Sequence, residues 1–526
     1  MATYYISPTG DDSTGDGSEG NPWFSYQKAE ATAASGDTII LQDATYDDYG
    51  SETYLHIRDG VTVKADSYRG ATITPEDGET SFAMRFSGDL GSTDGAVTVE
   101  DIVVDGEGSV TSAIYLPADA SNYIPLYRLH NILVKGGAAN NILISATHSR
   151  QEFFNLEMEG LIEGYGLVNS ASTSSTADQA LIVSSLRLTD VEMDSDSYNV
   201  VLVKNGSNTG NTFDAEVNNV TGTVTCTDTG NPYTPFVFEG VDAPVITGWD
   251  VTITAPDSNT LNSVYGLSVY GLDANTQVSD AVISNGIVRL NAPAGYAISL
   301  GLSTGGNNYV TGGTISGMTV AGKYYADSTP HGIVIGESVT GSVEGCTVRD
   351  EFAGILASLS TNATIRGNLL FDCYGPSIYV KGITAGTVSH NTIVVSTRNP
   401  QRLRGHIHVN AQGTNTTAVT IEDNLVIVQD MSQTSGILAG YEASQGCTFR
   451  NNCYVIPDTV DLSSDIFEIA GVDSTFAEWL ADANVTNDRI VQLPQAKINE
   501  IVSRYRAIAD YATHTAGSAA PMRIGL

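Results

Sequence analysis

Five times between His331 and Ile456 the chain repeats one short apolar phrase: HGIVI, AGILA, PSIYV, GHIHV and SGILA, centred on Ile333, Ile355, Ile378, Ile407 and Ile437. A second run follows each: SVEGCTV, TIRGNLL, TVSHNTI, TIEDNLV and TFRNNCY, anchored at Val343, Ile365, Val388, Ile421 and Phe449. The isoleucine spacings are 22, 23, 29 and 30 residues, so constant strands must alternate with loops of varying length. A repeat of this size that holds only short strands has no room for paired helices, which leaves a solenoid of stacked β-coils. The second run keeps Asn368, Asn391, Asn424 and Asn452 at one place, with Cys346 there in the first copy. Such amides can stack coil on coil and bond to one another along the axis, a structural role.

A chain of 526 residues is ordinarily several domains, but each solenoid coil packs only on its neighbours, so one long domain is expected. The formal charge is -36 although only 16% of residues are charged, so the surface is mostly Ser, Thr, Asn, Gly and Asp. Its net field repels nucleic acid and anionic membranes, and neither is an expected partner. No apolar run approaches the ~18 residues of a membrane span. The start, MATYYISP, lacks a basic and then apolar export signal. An extracellular place, secreted or virion-associated, then implies a removed signal or another route such as lysis. Cys226, Cys346, Cys373, Cys447 and Cys453 are odd in number and follow no metal spacing, so buried thiols are expected.

The opening reads YYISPTGDDSTGDGSEGNPWFSYQKAEATAASGDTIILQDATY. A strand at Tyr4–Ile6, a Gly/Asp/Ser loop, a helix near Phe24–Ala34 and a strand at Thr38–Leu41 are expected, the helix acting as a lid on the solenoid end. This stretch resembles the N-terminal cap of right-handed parallel β-helix proteins of the pectate-lyase-like superfamily, whose pattern reads SPxGxD…NPF…A…AxxGDTI…L…GTY. It follows that pattern through Gly36, Asp37, Thr38 and Ile39, and departs where Ala44 stands for the glycine before Thr45 and Tyr46. The resemblance implies an all-β, single-stranded right-handed parallel β-helix with a short helical N-terminal cap and a helical C-terminal segment. The expected divisions are 1–37 for the cap strand and helix, 38–456 for the β-helix and 457–526 for a partly helical C-terminal cap. In that last part Ile498, Ile501, Val502, Tyr505 and Ile508 share one helical face. Asp11, Asp12, Asp16 and Glu19 offer the oxygens calcium takes, but not at EF-hand spacing, and solvated turn residues are the simpler account. Calcium is the one cofactor the sequence brings into view.

Alternate residues of a strand point to opposite faces, so inward isoleucines turn their neighbours outward. The outward set is Gly332, Val334 and Gly336; Gly354, Leu356 and Ser358; Ser377, Tyr379 and Lys381; His406, His408 and Asn410; Gly436, Leu438 and Gly440. Only the third and fourth coils carry ionisable groups there. Between Asp372 and Glu422 lie 49 residues without an acid, in a chain with 60 acids, and this window holds Lys381, Arg398, Arg402, Arg404, His390, His406 and His408. His390, near the Asn column, and His331, before its strand, are read as structural.

Lyases cut uronate polysaccharides by removing the C5 proton and expelling the O4 substituent. That takes a cation on the carboxylate, a base and a proton donor. Arg404 or Arg402 would be the cation, His408 or Lys381 the base and Tyr379 the donor, with Arg398, His406 and Asn410 binding substrate. Many proteins that this fold resembles are polysaccharide lyases, among them pectate lyases and the family of alginate lyases and chondroitinase B. In the latter family a lysine and an arginine on neighbouring coils serve, and Lys381 with Arg404 is similar in kind. The expected function is a polysaccharide depolymerase, a lyase on an acidic polysaccharide, acting as monomer or homotrimer. A glycoside hydrolase, drawing on Asp350, Glu351 or Asp372, and a non-catalytic tailspike- or adhesin-type glycan binder are the alternatives.

Overall fold

The computed structural model describes residues 1–514 except 50–51, 59, 87–95, 118–125, 146–149, 172–178, 195–196, 206–212, 229–231, 258–262, 272–276, 302–308, 324–328, 337–338, 397–404, 411–417, 432–436 and 443–445. The chain forms two compact units: Met1–Asp228 with Pro235–Val245, and Thr229–Thr234 with Ile246–Leu526. Each is a right-handed parallel β-helix in which a coil gives one strand to each of three sheets. They are called sheets 1, 2 and 3 in the order the chain visits them.

The first unit begins with Thr3–Ile6, which pairs in parallel with Thr38–Leu41 in sheet 1. Helix α1 (Tyr26–Thr32) lies between them, its start fixed by the Ser25 side chain accepting from the Lys28 N–H. The acids of the preceding loop are spent on backbone and hydroxyl donors. Asp11 accepts from the N–H of Ser13 and Thr14, Asp16 from Ser18, and Asp12 from Phe24, Ser25 and the Ser25 hydroxyl. Turn chemistry thus accounts for Asp11 and Asp16, while Asp12 ties the loop to the start of α1.

In the second unit the isoleucine column of sheet 3 is continuous. Leu267, Ile298, Ile333, Ile355, Ile378 and Ile407 stand in register and are buried. The next coil departs from the expected alignment: Ile407 pairs with Ala439, not Ile437, because the strand there is Ala439–Tyr441. A slip of two residues leaves the apolar alternation intact, so the sequence pattern alone does not reveal it. Nor does the repeat stop at Ile456. Phe467–Ile469, Val485–Thr486 and Arg489–Leu493 add a sixth coil, paired with Ala439–Tyr441, Cys447–Arg450 and Cys453–Pro457.

What the sequence shows as one second run is two strands bent at a tight corner, such as Asn362–Arg366 in sheet 1 and Leu369–Phe371 in sheet 2. The corner is a left-handed residue followed by the ladder residue. Gly345, Gly367, His390, Asp423, Asn451 and Asn487 all have φ between 53° and 66°. Behind them the amides of Asn368, Asn391, Asn424 and Asn452 each donate to the carbonyl oxygen of the next at 2.9–3.0 Å, the last donating to Asp488. The same oxygens accept the backbone N–H of the preceding ladder residue, from Cys346 onward, at 2.8–3.1 Å. Each Asn amide also donates to a backbone carbonyl of the preceding coil, as Asn391 does to Ile365 at 3.0 Å. Asp488 ends the row surrounded by donors, adding Tyr454 Oη and Trp479 Nε1.

Helix α2 (Phe476–Ala481) opens on a Thr475/Glu478 capping box and sets Trp479 against Phe449 and Phe467. Helix α3 (Gln495–Ala512) lies along the outer flank of sheet 2. Ile498, Ile501, Val502 and Tyr505 pack on Leu369, Phe371, Val394, Ile427 and Val455 there, with Ile508 partly buried. Its 18 residues span about 27 Å at 1.5 Å each, enough to cross several strands ~4.8 Å apart. Arg349 to Asp510 and Arg506 to Asp372 tie its C-terminal half down. All five cysteines are buried and unpaired with one another.

Removing one rung of the ladder strands buried donors and acceptors on both neighbouring coils, each costing about 1–3 kcal/mol. Asn391→Ala is expected to lower unfolding free energy by about 3 kcal/mol in a denaturant titration. Asn391→Asp, which turns a carboxylate oxygen towards the Ile365 and Asn424 oxygens, should do no better at neutral pH.

Candidate functional site

On sheet 3 the inward pairs Ile378/Val380 and Ile407/Val409 turn Tyr379, Lys381, His408 and Asn410 to the outer side. Tyr379 stands opposite His408, and Lys381 opposite Asn410, as the alternation requires. The Tyr379 and His408 rings are 5.6 Å apart, and Asn410 Nδ2 donates to Tyr379 Oη at 3.0 Å. Tyr379 and Lys381 are half-buried, whereas His408 is 0% exposed.

The electrostatics differ from the acid-free patch that the linear sequence implies. Glu442 and Glu468 come in from the two following coils. Glu442 Oε1 lies 3.4 Å from His408 Nε2, and Glu468 Oε2 lies 3.9 Å from His408 Nδ1. The acid-free window is a property of 49 consecutive residues, whereas a solenoid face is assembled from different coils. Sequence did hold a signal: Glu442 continues the outward alternation past Gly440, and Glu468 sits between two apolar residues in the sixth coil. The two-residue slip puts Gly440 opposite His408 and Glu468 opposite Gly440. Gly440 therefore leaves a gap in the outward column, and a Cβ there would come within 2.6 Å of Glu468 Cβ.

Other expected residues lie elsewhere. Arg398, Arg402 and Arg404 fall outside the described residues. His406 and Ser377 precede their strands, and both are buried, with Ser377 Oγ 3.5 Å from His406 Nδ1. Gly354, in the same place one coil earlier, has Leu370 and Cys373 side chains where its Cβ would point, so this position faces the interior. Strand alternation fails there because the chain is still turning out of sheet 2. His390 occupies the left-handed corner with φ 59°, beside Asp423. His331 is half-buried, and the loss of solvent around its ring together with the charge of Lys381 presses its pKa down to about 4. The acids considered for hydrolysis do not reach the face. Asp350 pairs with Arg349, Asp372 accepts from Ser396 N–H and Oγ–H, and Glu351 is 0% exposed.

Fold and site thus belong to a right-handed parallel β-helix protein resembling the pectate-lyase-like proteins, with an outer-face cluster of Tyr, Lys, His, Asn and two Glu. A family model described as periplasmic copper-binding protein (NosD) matches residues 274–455, the coils that carry most of this cluster. Among solved structures, a mannuronic acid specific polysaccharide family 6 lyase from human gut microbiota is similar at 11% identity, covering 98% of this chain and 99% of that one, with a TM-score of 0.37. The A-module of the Azotobacter vinelandii mannuronan C-5 epimerase AlgE6 follows at 12% identity, 88% and 93% coverage and 0.30. Pectate lyase Pel9A gives 13%, 84% and 79%, and 0.24. Values of this size carry no statement about activity. No curated protein matches.

Glu351 leaves its mark on stability instead. Its carboxyl fills the space where Gly322 lacks a side chain, and neither oxygen has a hydrogen-bond partner. Burial, and secondarily the charge of Asp350, push its pKa well above the ordinary carboxylate range. With the folded value raised, the folded state holds the proton more tightly. Stability is therefore full below the ordinary carboxylate range and falls as pH climbs from there towards the folded value. Glu351→Gln is expected to flatten that decline in denaturation curves taken from acid to mildly alkaline pH.

Proposed function

We propose that the protein is a polysaccharide lyase that cleaves an acidic glycan by β-elimination on the outer face of sheet 3. The observation that supports this best is the stacking of Tyr379 and Lys381 on His408 and Asn410, with Asn410 donating to Tyr379 Oη. That bond orients the phenol, so that its own proton points away from Asn410 and towards a leaving oxygen. Both ring nitrogens of His408 face carboxylates, which leaves Lys381 as the base for the C5 proton. Lys381 takes the proton from C5, the C4–O4 bond breaks, and Tyr379 protonates the departing oxygen, leaving a C4–C5 double bond. Arg402 and Arg404, the expected cations for the substrate carboxylate, lie outside the described residues. We place the protein outside the cytoplasm. The matched family is described as periplasmic, and no helix among the described residues is long and apolar enough to cross a membrane.

One observation favours hydrolysis as a second reading. Glu442 and Glu468 each bring a carboxylate oxygen within 4.8 Å of the other, near the separation of retaining glycosidases. The test is incubation with alginate, pectate, hyaluronan and chondroitin while ultraviolet absorbance of an unsaturated uronate is followed. Absorbance is expected to rise. Lys381→Ala and Tyr379→Phe should each slow it at least about a hundredfold. Reducing ends without absorbance, lost in Glu442→Gln, would establish hydrolysis. Binding with neither would leave a glycan-binding module.

A further inference from the structure

We propose that His408, Glu442 and Glu468 hold a divalent cation over Gly440. The three side chains come from three successive coils of one sheet. Their ligand atoms, one ring nitrogen and one oxygen from each carboxylate, lie within 4.8 Å of one another. A cation with bonds of about 2.3–2.6 Å bridges such a span directly, and one with bonds of about 2.0–2.2 Å does so after a small closure. The glycine supplies the second observation. His408 and Glu468 flank Gly440 in the outward column, and their side chains converge to 3.9 Å across a position that has no side chain. Glu442, two residues after Gly440, closes the same space to 3.4 Å from the imidazole.

The donor set supports the assignment: one imidazole nitrogen with two carboxylate oxygens is a combination that divalent cations take. With the ion in place, partly exposed Glu442 marks the side on which remaining coordination positions open to solvent, its side chain being 34% accessible against 12% for Glu468. Those positions suit an anionic oxygen such as a substrate carboxylate. In this the proposal deepens the lyase reading at the same site.

The test reads the ion without the reaction. Full-length protein, stripped with chelator, is titrated calorimetrically with Ca2+, Mn2+ and Zn2+, each alone, and with Tb3+ by luminescence, which Tyr379 is placed to sensitise. One equivalent of at least one divalent ion is expected to bind, with Kd of about 10⁻⁴ M or tighter. Glu442→Gln and Glu468→Gln should each weaken it at least tenfold, and Gly440→Ala should weaken it by displacing Glu468. The partly exposed, isosteric Glu442→Gln keeps the test valid if the buried variants fold poorly. No saturable binding of any of the three ions, or binding unchanged in Glu442→Gln and Glu468→Gln, overturns the proposal. Binding without uronate elimination keeps the ion and discards the lyase reading. Elimination without binding does the reverse.

Discussion

The tight corner between sheets 1 and 2 is the constraint on which the second unit depends. A strand pair can bend there only if one residue takes a left-handed conformation and the polar groups of the bend are satisfied inside the protein. The residue before each ladder position meets the first demand, and the asparagine row meets the second. Each asparagine side chain has two donors and two acceptor sites, and from Asn391 to Asn452 all four are engaged between neighbouring coils. The row therefore fixes coil spacing and register together, and the outer face of sheet 3 inherits its alignment from it. A carboxylate suits only the terminal place, where Asp488 meets donors alone, although burial pushes its pKa up against them.

Much of this was legible in the amino-acid sequence because a stacked fold repeats its own evidence. The isoleucine column, the asparagine positions and the pairing of Tyr379 with His408 all follow from a period and an alternation. The misalignment of the fifth coil has a plain cause. Period-two patterning fixes a face and is blind to an even slip, so Ile437 and Ala439 are equally good candidates on pattern alone. That slip hid Gly440 opposite His408. The sixth coil escaped notice because Phe467–Ile469 and Val485–Thr486 are too short to form a visible apolar run.

The site was legible in half. Tyr379, Lys381, His408 and Asn410 share two adjacent strands, and local sequence finds them. Glu442 and Glu468 reach His408 from 34 and 60 residues downstream, and only the fold brings them there. Charge counted along a solenoid sequence describes a strip wound round the coils. Charge felt by a ligand on one face is counted across them. Around His408 the second count adds Glu442 and Glu468.

Helix α3 has a consequence for how the second unit comes apart. In a solenoid whose coils touch only their neighbours, the ends can fray one coil at a time. By lying across Leu369, Phe371, Val394, Ile427 and Val455, α3 links coils that do not otherwise touch. The terminal coil cannot peel away while the helix is docked, and once the helix leaves, several coils lose cover simultaneously. Fraying at this end thus becomes a cooperative event, and the coils that carry His408 and its carboxylates open together or not at all.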